Sequence, residues 1–212
     1  MSSNEPLNTH QPAEELVLAS ASPRRRELLA SLGYRFRVCV STVDEAVLPG
    51  ETPADHVVRL SEAKARDVAG HTEIRGRWFL GSDTVVVRDG EILGKPCDAA
   101  EAEAMLTALS GRSHEVFSGY AVLDRESAQM TSGAVMTRVT FRELTCAEIA
   151  GYIASGEPLD KAGAYGIQGR AAAMVRRIEG SYSNVVGLPL CEVVEALSEA
   201  GLPSPLTGSY HE

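Results

Sequence analysis

Three consecutive arginines, Arg24, Arg25 and Arg26, follow Ser20-Ala21-Ser22-Pro23. Ser22 suits the N-cap of a helix and Pro23 its first position, so the three cations fall in a first turn whose dipole end is itself positive. Something anionic belongs nearby. The hydroxyls of Ser20 and Ser22, the free N–H groups of that turn and the Arg25 guanidinium together make a phosphate site. The competing reading has the arginines solvated, or paired with Glu27 or a distant carboxylate. The chain contains neither GxxxxGK[ST] nor GxGxxG, so a phosphate held here is not held by either of those loops.

Asp83 stands between Ser82 and Thr84 in a run that otherwise reads as buried strand. A carboxylate there is costly unless it is paired, hydrogen-bonded or metal-bound. The turn Asp89-Gly90 folds the chain back on itself, and strict pairing across it sets Val87 opposite Ile92 and Thr84 opposite Lys95. That register puts Lys95 on the face of Thr84. Lys64 shares a helical stripe with Val57, Leu60 and Val68, where a snorkelling lysine is the ordinary explanation. Residues 162–169 carry three glycines, Tyr165 and Gln168, and a glutamine amide offers both donor and acceptor to a base edge. Asp44-Glu45, just past the second strand, is the weakest candidate, because adjacent loop carboxylates are usually solvated.

The elements that must position these residues alternate between strand and helix. A strand at 16–19 leads into the Pro23 helix, stopped by Gly33, and a second strand covers about 36–41. Thr52 and Pro53 open the Lys64 helix. A long strand at 78–87 with a polar middle turns at Asp89-Gly90, and Asp98 with Glu101 resembles a capping box for a helix ended by Gly111. Strands at 116–123 and 134–141 follow, then a helix capped by Thr145 and Glu148, the glycine-rich stretch, a short strand at 173–178 and a last helix after Pro189. The hairpins make the sheet mixed, so the expected class is α/β.

Composition limits the partners. The chain has 212 residues, 44% hydrophobic and 23% charged, with 20 basic against 29 acidic residues and a formal charge of -9. That is one domain, or two packed lobes, with ample core and without the broad basic footprint of a nucleic-acid or anionic-membrane binder. No apolar stretch approaches the ~20 residues of a membrane helix. Residues 1–15 lack a secretory pattern and read as a disordered leader, 203–212 as a polar tail, and the cytoplasm is the expected address. The four cysteines show no zinc or CxxC spacing and are expected to be reduced.

Five stretches, LASASPRRRELL (18–29), LGSDTVV (80–86), GKP (94–96), GEPLDKAGAYGIQG (156–169) and EGSYSNVVGLPL (179–190), together resemble the Maf nucleoside triphosphate pyrophosphatases, in particular the branch acting on dTTP and UTP. The match runs from about residue 16 to 202 in the family's order. The resemblance implies a two-lobed mixed sheet with flanking helices and a central cleft, like that of ITPases. It implies hydrolysis between the α and β phosphates to a nucleoside monophosphate and pyrophosphate, which keeps non-standard nucleotides out of nucleic acid, and a divalent cation, Mg or Mn. Asp83 matches the catalytic base, Lys64 and Lys95 the cleft lysines, and Glu45 an acidic position assisting metal or water. Arg24, Thr84 and Gln168 match positions associated with base selectivity. A homodimer is also implied. Two other readings stand beside this one: a broader house-cleaning pyrophosphatase, and a nucleotide-sensing binding protein affecting cell division. The intact set of Asp83, Lys64 and Lys95 argues for turnover, since a sensor has no need of a base.

Overall fold

The computed structural model describes residues 15–207, so the expected leader, apart from Glu15, and residues 208–212 of the expected tail lie outside it. Seven strands form one sheet: β1 (Leu16–Leu18), β2 (Phe36–Val38), β3 (Trp78–Arg88), β4 (Glu91–Leu93), β5 (Ser113–Asp124), β6 (Gln129–Phe141) and β7 (Val175–Glu179). Their order is β2-β1-β3-β5-β6-β7, with β4 also paired to β3. The β1 pairings are parallel and the rest antiparallel, so the sheet is mixed as expected. Helices α1 (Pro23–Ser31), α2 (Pro53–Gly70), α3 (Ala99–Leu109), α4 (Cys146–Ala154), α5 (Tyr182–Val186) and α6 (Leu190–Glu199) flank it. The glycine-rich stretch forms three short 3-10 turns, Glu157–Asp160, Ala162–Ala164 and Gly169–Met174.

The caps follow from side-chain chemistry. Ser22, Thr52, Asp98 and Thr145 each accept a first-turn N–H at the start of α1, α2, α3 and α4. Thr145 and Glu148 close a reciprocal capping box. Asp98 and Glu101 do not: Glu101 reaches past the cap to the Cys97 N–H, at 2.7 Å. The second strand stops at Val38, short of the expected 41, because the chain turns away to begin a long loop over α2.

One face of the sheet is covered by α2, which packs Ala65 and Val68 against Val17, Phe79 and Ala121. The helix lies close because two strand positions have no side chain. A Cβ at Gly81 would stand 2.0 Å from the Ser61 carbonyl oxygen, and one at Gly119 2.2 Å from that of Val57. The other face carries two apolar clusters. Leu16, Leu29, Leu80, Leu188 and Leu197 gather under α1 and α6, while Leu106, Leu109, Val116, Phe141 and Tyr152 gather under α3 and α4. The two clusters thus share one sheet. Among the described residues no helix is long and apolar enough to cross a membrane. The four cysteines are free.

Candidate active site

The polar middle of β3 occupies a gap in the sheet. On one edge β3 pairs with β5 from Trp78 to Val87. On its other edge β1 takes Trp78 to Leu80 and β4 takes Val86 to Arg88, so residues 81–85 face no strand there. A cleft of about 520 Å³ opens at this gap. Because β3 alternates, Asp83 points toward α2 while Ser82 and Thr84 point to the opposite face.

On the α2 face, Asp83 and Lys64 are 8% and 7% exposed. The Lys64 Nζ donates to Asp83 Oδ1 at 2.7 Å and stands 2.5 Å from Glu45 Oε1. Lys64 therefore does not snorkel; it turns inward and serves two carboxylates. Glu45 arrives from the loop after β2. Its partial burial pushes the carboxyl up, but the Lys64 ammonium, helped by the charges of Lys95 and Arg25, outweighs this and holds it below the usual carboxylate range. Lys95 lines the cleft and is exposed. The expected Thr84 to Lys95 pairing does not form, because the β3–β4 ladder ends at the Val86–Leu93 pair; Thr84 pairs with Ser118 on the other edge of β3. Lys95 then reaches the cleft from a free loop.

On the opposite face, Arg25 does not bend out to solvent. Its Nε donates to the Gly187 carbonyl at 2.8 Å, its Nη1 to Ser20 Oγ at 3.1 Å and its Nη2 to Thr84 Oγ1 at 3.0 Å. All three partners are neutral oxygens, so they orient the charge without cancelling it. Burial lowers the guanidinium from its ordinary value against the pull of Asp83 and Glu45 across the cleft. A fixed cation on a cleft wall, with no carboxylate in direct contact, is suited to an anionic ligand. Ser22 shares that wall; Ser20 lies behind it, buried against Arg25.

The other two arginines follow the competing reading. Arg24 Nη1 meets Asp160 Oδ2 at 3.4 Å across the mouth, and Lys161 Nζ holds the same carboxylate at 2.5 Å. Arg26 is exposed. Gln168 also lines the cleft, as do Tyr165 and Ile167, and its side chain caps no helix. The structure thus brings Ser22, Arg24, Arg25, Glu45, Lys64, Asp83, Thr84, Lys95 and Gln168 to one cleft.

Sequence reasoning missed what stands behind these residues. Thr84 Oγ1 shares a hydrogen bond with Ser118 Oγ at 2.8 Å, and Ser118 Oγ donates to the Asn184 carbonyl at 3.0 Å. Asn184, fully buried, donates through Nδ2 to the Val116 carbonyl and to Thr137 Oγ1. The stretch EGSYSNVVGLPL, which carried part of the resemblance without a role, is the turn that delivers Asn184 and Gly187. A signal existed in its run of small polar residues between apolar ones. Nothing in it said that the run is buried.

A family model described as "Maf-like protein" matches residues 15–200. The chain belongs to this family. Among curated relatives, this Maf-like chain is 59% identical over 199 residues to the dTTP/UTP pyrophosphatase of Syntrophotalea carbinolica, covering 93% of the chain and 90% of the relative. It is 60% identical over 186 residues to that of Geobacter sulfurreducens, with 88% and 96% covered. Against that of Myxococcus xanthus the identity is 53% over 194 residues, with 92% and 96% covered. The matched span of the Maf-like chain contains every side chain that lines the cleft.

Proposed function

We propose that this Maf-like protein hydrolyses dTTP and UTP to the nucleoside monophosphate and pyrophosphate. The observation that carries the reading is one buried ammonium, Lys64, held between Asp83 and Glu45 at the floor of a cleft whose opposite wall presents the Arg25 guanidinium. A base, flanking cations and an enclosed wall are what phosphoryl transfer asks of a protein. The names of the curated relatives supply the substrate class.

Asp83 orients water against the α-phosphorus and accepts its proton. The new P–O bond forms as the bond from the α-phosphorus to the bridging oxygen breaks, and the electron pair leaves with pyrophosphate. Lys64, Lys95 and Arg25 lie around the triphosphate and neutralise charge as it moves toward the leaving group. Ser22 and the first-turn N–H groups of α1 offer further donors. Arg24, Thr84 and Gln168 border the base end.

The family also implies a divalent cation. Among the described residues no three His, Cys, Asp or Glu side chains form a ready cage. Mg²⁺ does not require one, because it is commonly held by one or two carboxylates together with substrate phosphates. Glu45 and Asp83, converging on a single ammonium beside the cleft, fit that donor set. A bound Mg²⁺ or Mn²⁺ would supply charge neutralisation and a lower cost for forming the nucleophile.

Purified protein assayed with a panel of nucleoside triphosphates, with Mg²⁺ or Mn²⁺ added, tests the reading. Equal release of monophosphate and pyrophosphate from dTTP and UTP is expected. Orthophosphate with a diphosphate product would mean attack at the other end of the chain and would overturn it.

A further inference from the structure

We propose that Arg59, Glu51 and Asp67 are positioning residues that lay the loop carrying Glu45 along α2 and so set Glu45 against Lys64. The catalytic consequence rests on the pyrophosphatase reading; the loop geometry does not.

The loop between β2 and α2 has no regular structure across residues 39–52, and its Val47 and Leu48 are exposed. Such a segment would not by itself keep a carboxylate in one place. Helix α2 grips it at three points that run in order along the helix. Toward the helix C-terminus, Asp67 Oδ2 accepts from Ser41 Oγ at 2.7 Å and from the Thr42 N–H at 3.0 Å. Next, Lys64 Nζ meets Glu45. Nearer the N-terminus, Arg59 Nη2 donates to the Ala46 carbonyl at 3.0 Å. The loop therefore runs antiparallel to α2, with the Glu45 contact as the middle rung of three.

The lowest rung is anchored strongly. Arg59 forks onto Glu51 through Nε at 2.5 Å and Nη2 at 2.9 Å, and Glu51 also accepts from His56 Nδ1 and the Leu48 N–H. Glu51 is almost fully buried. Arg59, ahead of its other partners, holds the Glu51 carboxyl far below the usual carboxylate range, so the pair stays ionised throughout the neutral range. One guanidinium thus ties the loop end at Glu51 to the peptide beside Glu45. Asp67, Arg59 and Glu51 are absent from the cleft wall. Arg59 also feels the charge of Asp83, and Arg59→Lys keeps that charge, so what this change alters reaches the chemistry through Glu45.

Arg59→Lys is the discriminating variant. It keeps a cation beside Glu51, so the buried carboxylate remains paired, but a single ammonium cannot hold both Glu51 oxygens and the Ala46 carbonyl. Expected are a near-native melting temperature, faster amide hydrogen exchange across residues 43–50, and a kcat lower by on the order of 10-fold with a smaller change in KM. In a Glu45→Gln background the same change should cost no further activity. An equal loss in that background, or a fall in kcat with loop exchange unchanged, would overturn the proposal; so would native loop exchange together with native kcat. Should the wild-type protein release no pyrophosphate, the pyrophosphatase reading fails, and loop exchange in Arg59→Lys still decides whether the loop is held as described.

Discussion

The two faces of β3 reach the same cleft by different physical means. Toward α2, Asp83, Lys64 and Glu45 make a small cluster of formal charges in which each group is within direct reach of an opposite one. Toward α1 and α5, a single cation, Arg25, is held by neutral oxygens, and one of these, Thr84 Oγ1, is held in turn by a buried relay of Ser118, Asn184 and Thr137. On the proposed reading, the first arrangement exchanges protons with water and would hold the metal, while the second holds a charge still. That reading gives the chemistry to one face and the binding geometry to the other. It also separates how each should fail: loss of turnover on the α2 face, loss of fold or affinity on the other.

The largest effect should come from the α2 face. Asp83→Asn removes the proposed base while keeping the shape, and should lower pyrophosphate release by about two to four orders of magnitude, the scale of general acid–base catalysis. Its melting temperature should move little beside that loss. Wild-type turnover in a clean preparation would erase the distinction between the faces. Asn184→Ala on the other face should do the reverse. It takes the Asn184 donor from the Val116 carbonyl and from Thr137 Oγ1, which keeps only the Ser181 N–H, and opens a small void, at a cost of roughly 2 kcal/mol in unfolding free energy. Denaturant melts read that cost, and the protein that stays folded should retain most of its kcat.

A comparable effect follows from titration on the face of Asn184. His114 of β5 is buried among Phe141 and Tyr165, with its Nε2 2.7 Å from the Tyr165 hydroxyl. Burial lowers its imidazole to about 4. The unfolded chain takes up a proton near the ordinary 6.5 while the folded one does not, so stability falls as the pH drops from about 6.5 toward 4 and levels off below. For that one group the loss at pH 5 is about 2 kcal/mol. His114→Phe should flatten this part of the stability curve and leave the Asp83 chemistry in place. An unchanged slope between pH 6.5 and 4 would mean that His114 is not kept neutral by its surroundings.

Residues differ in how far the sequence betrays them, and the reason is physical. Asp83 and Lys64 are visible because each breaks a local pattern, a carboxylate in a buried strand and a lysine on an apolar stripe. Their contact is not visible, since it depends on α2 approaching within reach over Gly81 and Gly119. Lys95 shows the limit of register arguments: a two-residue turn fixes the first pairs, yet the ladder ends at Leu93. Ser20 and Arg25 are recognisable as a polar pair, but only the fold shows that Ser20 supports the arginine from behind. Asn184, Glu51 and Arg59 leave no trace in local pattern, because each is an ordinary surface residue type; Asn184 and the Glu51 side chain are buried by segments distant in sequence or by their own loop, and the half-buried Arg59 is engaged by that loop.

The smallest effect, and the most specific, concerns a cleft residue that belongs to neither face of β3. Gln168 lines the cleft together with Tyr165 and Ile167. For the proposed substrates the ring edge to be read is that of thymine or uracil, with carbonyl acceptors flanking an N3–H donor. A glutamine amide can satisfy one of each; a glutamate can only accept. Gln168→Glu leaves volume nearly unchanged and sets an added negative charge against a carbonyl. It should lower kcat/KM for dTTP and UTP by a factor equivalent to about 1–2 kcal/mol in transition-state terms. Guanine offers N–H groups to an acceptor, so GTP turnover should fall less, or rise. The ratio of the two kcat/KM values is the measurement, because a general disturbance of the glycine-rich turns cancels in it. An unchanged ratio would mean that Gln168 supports the turn from Ala162 to Met174 and does not read the base.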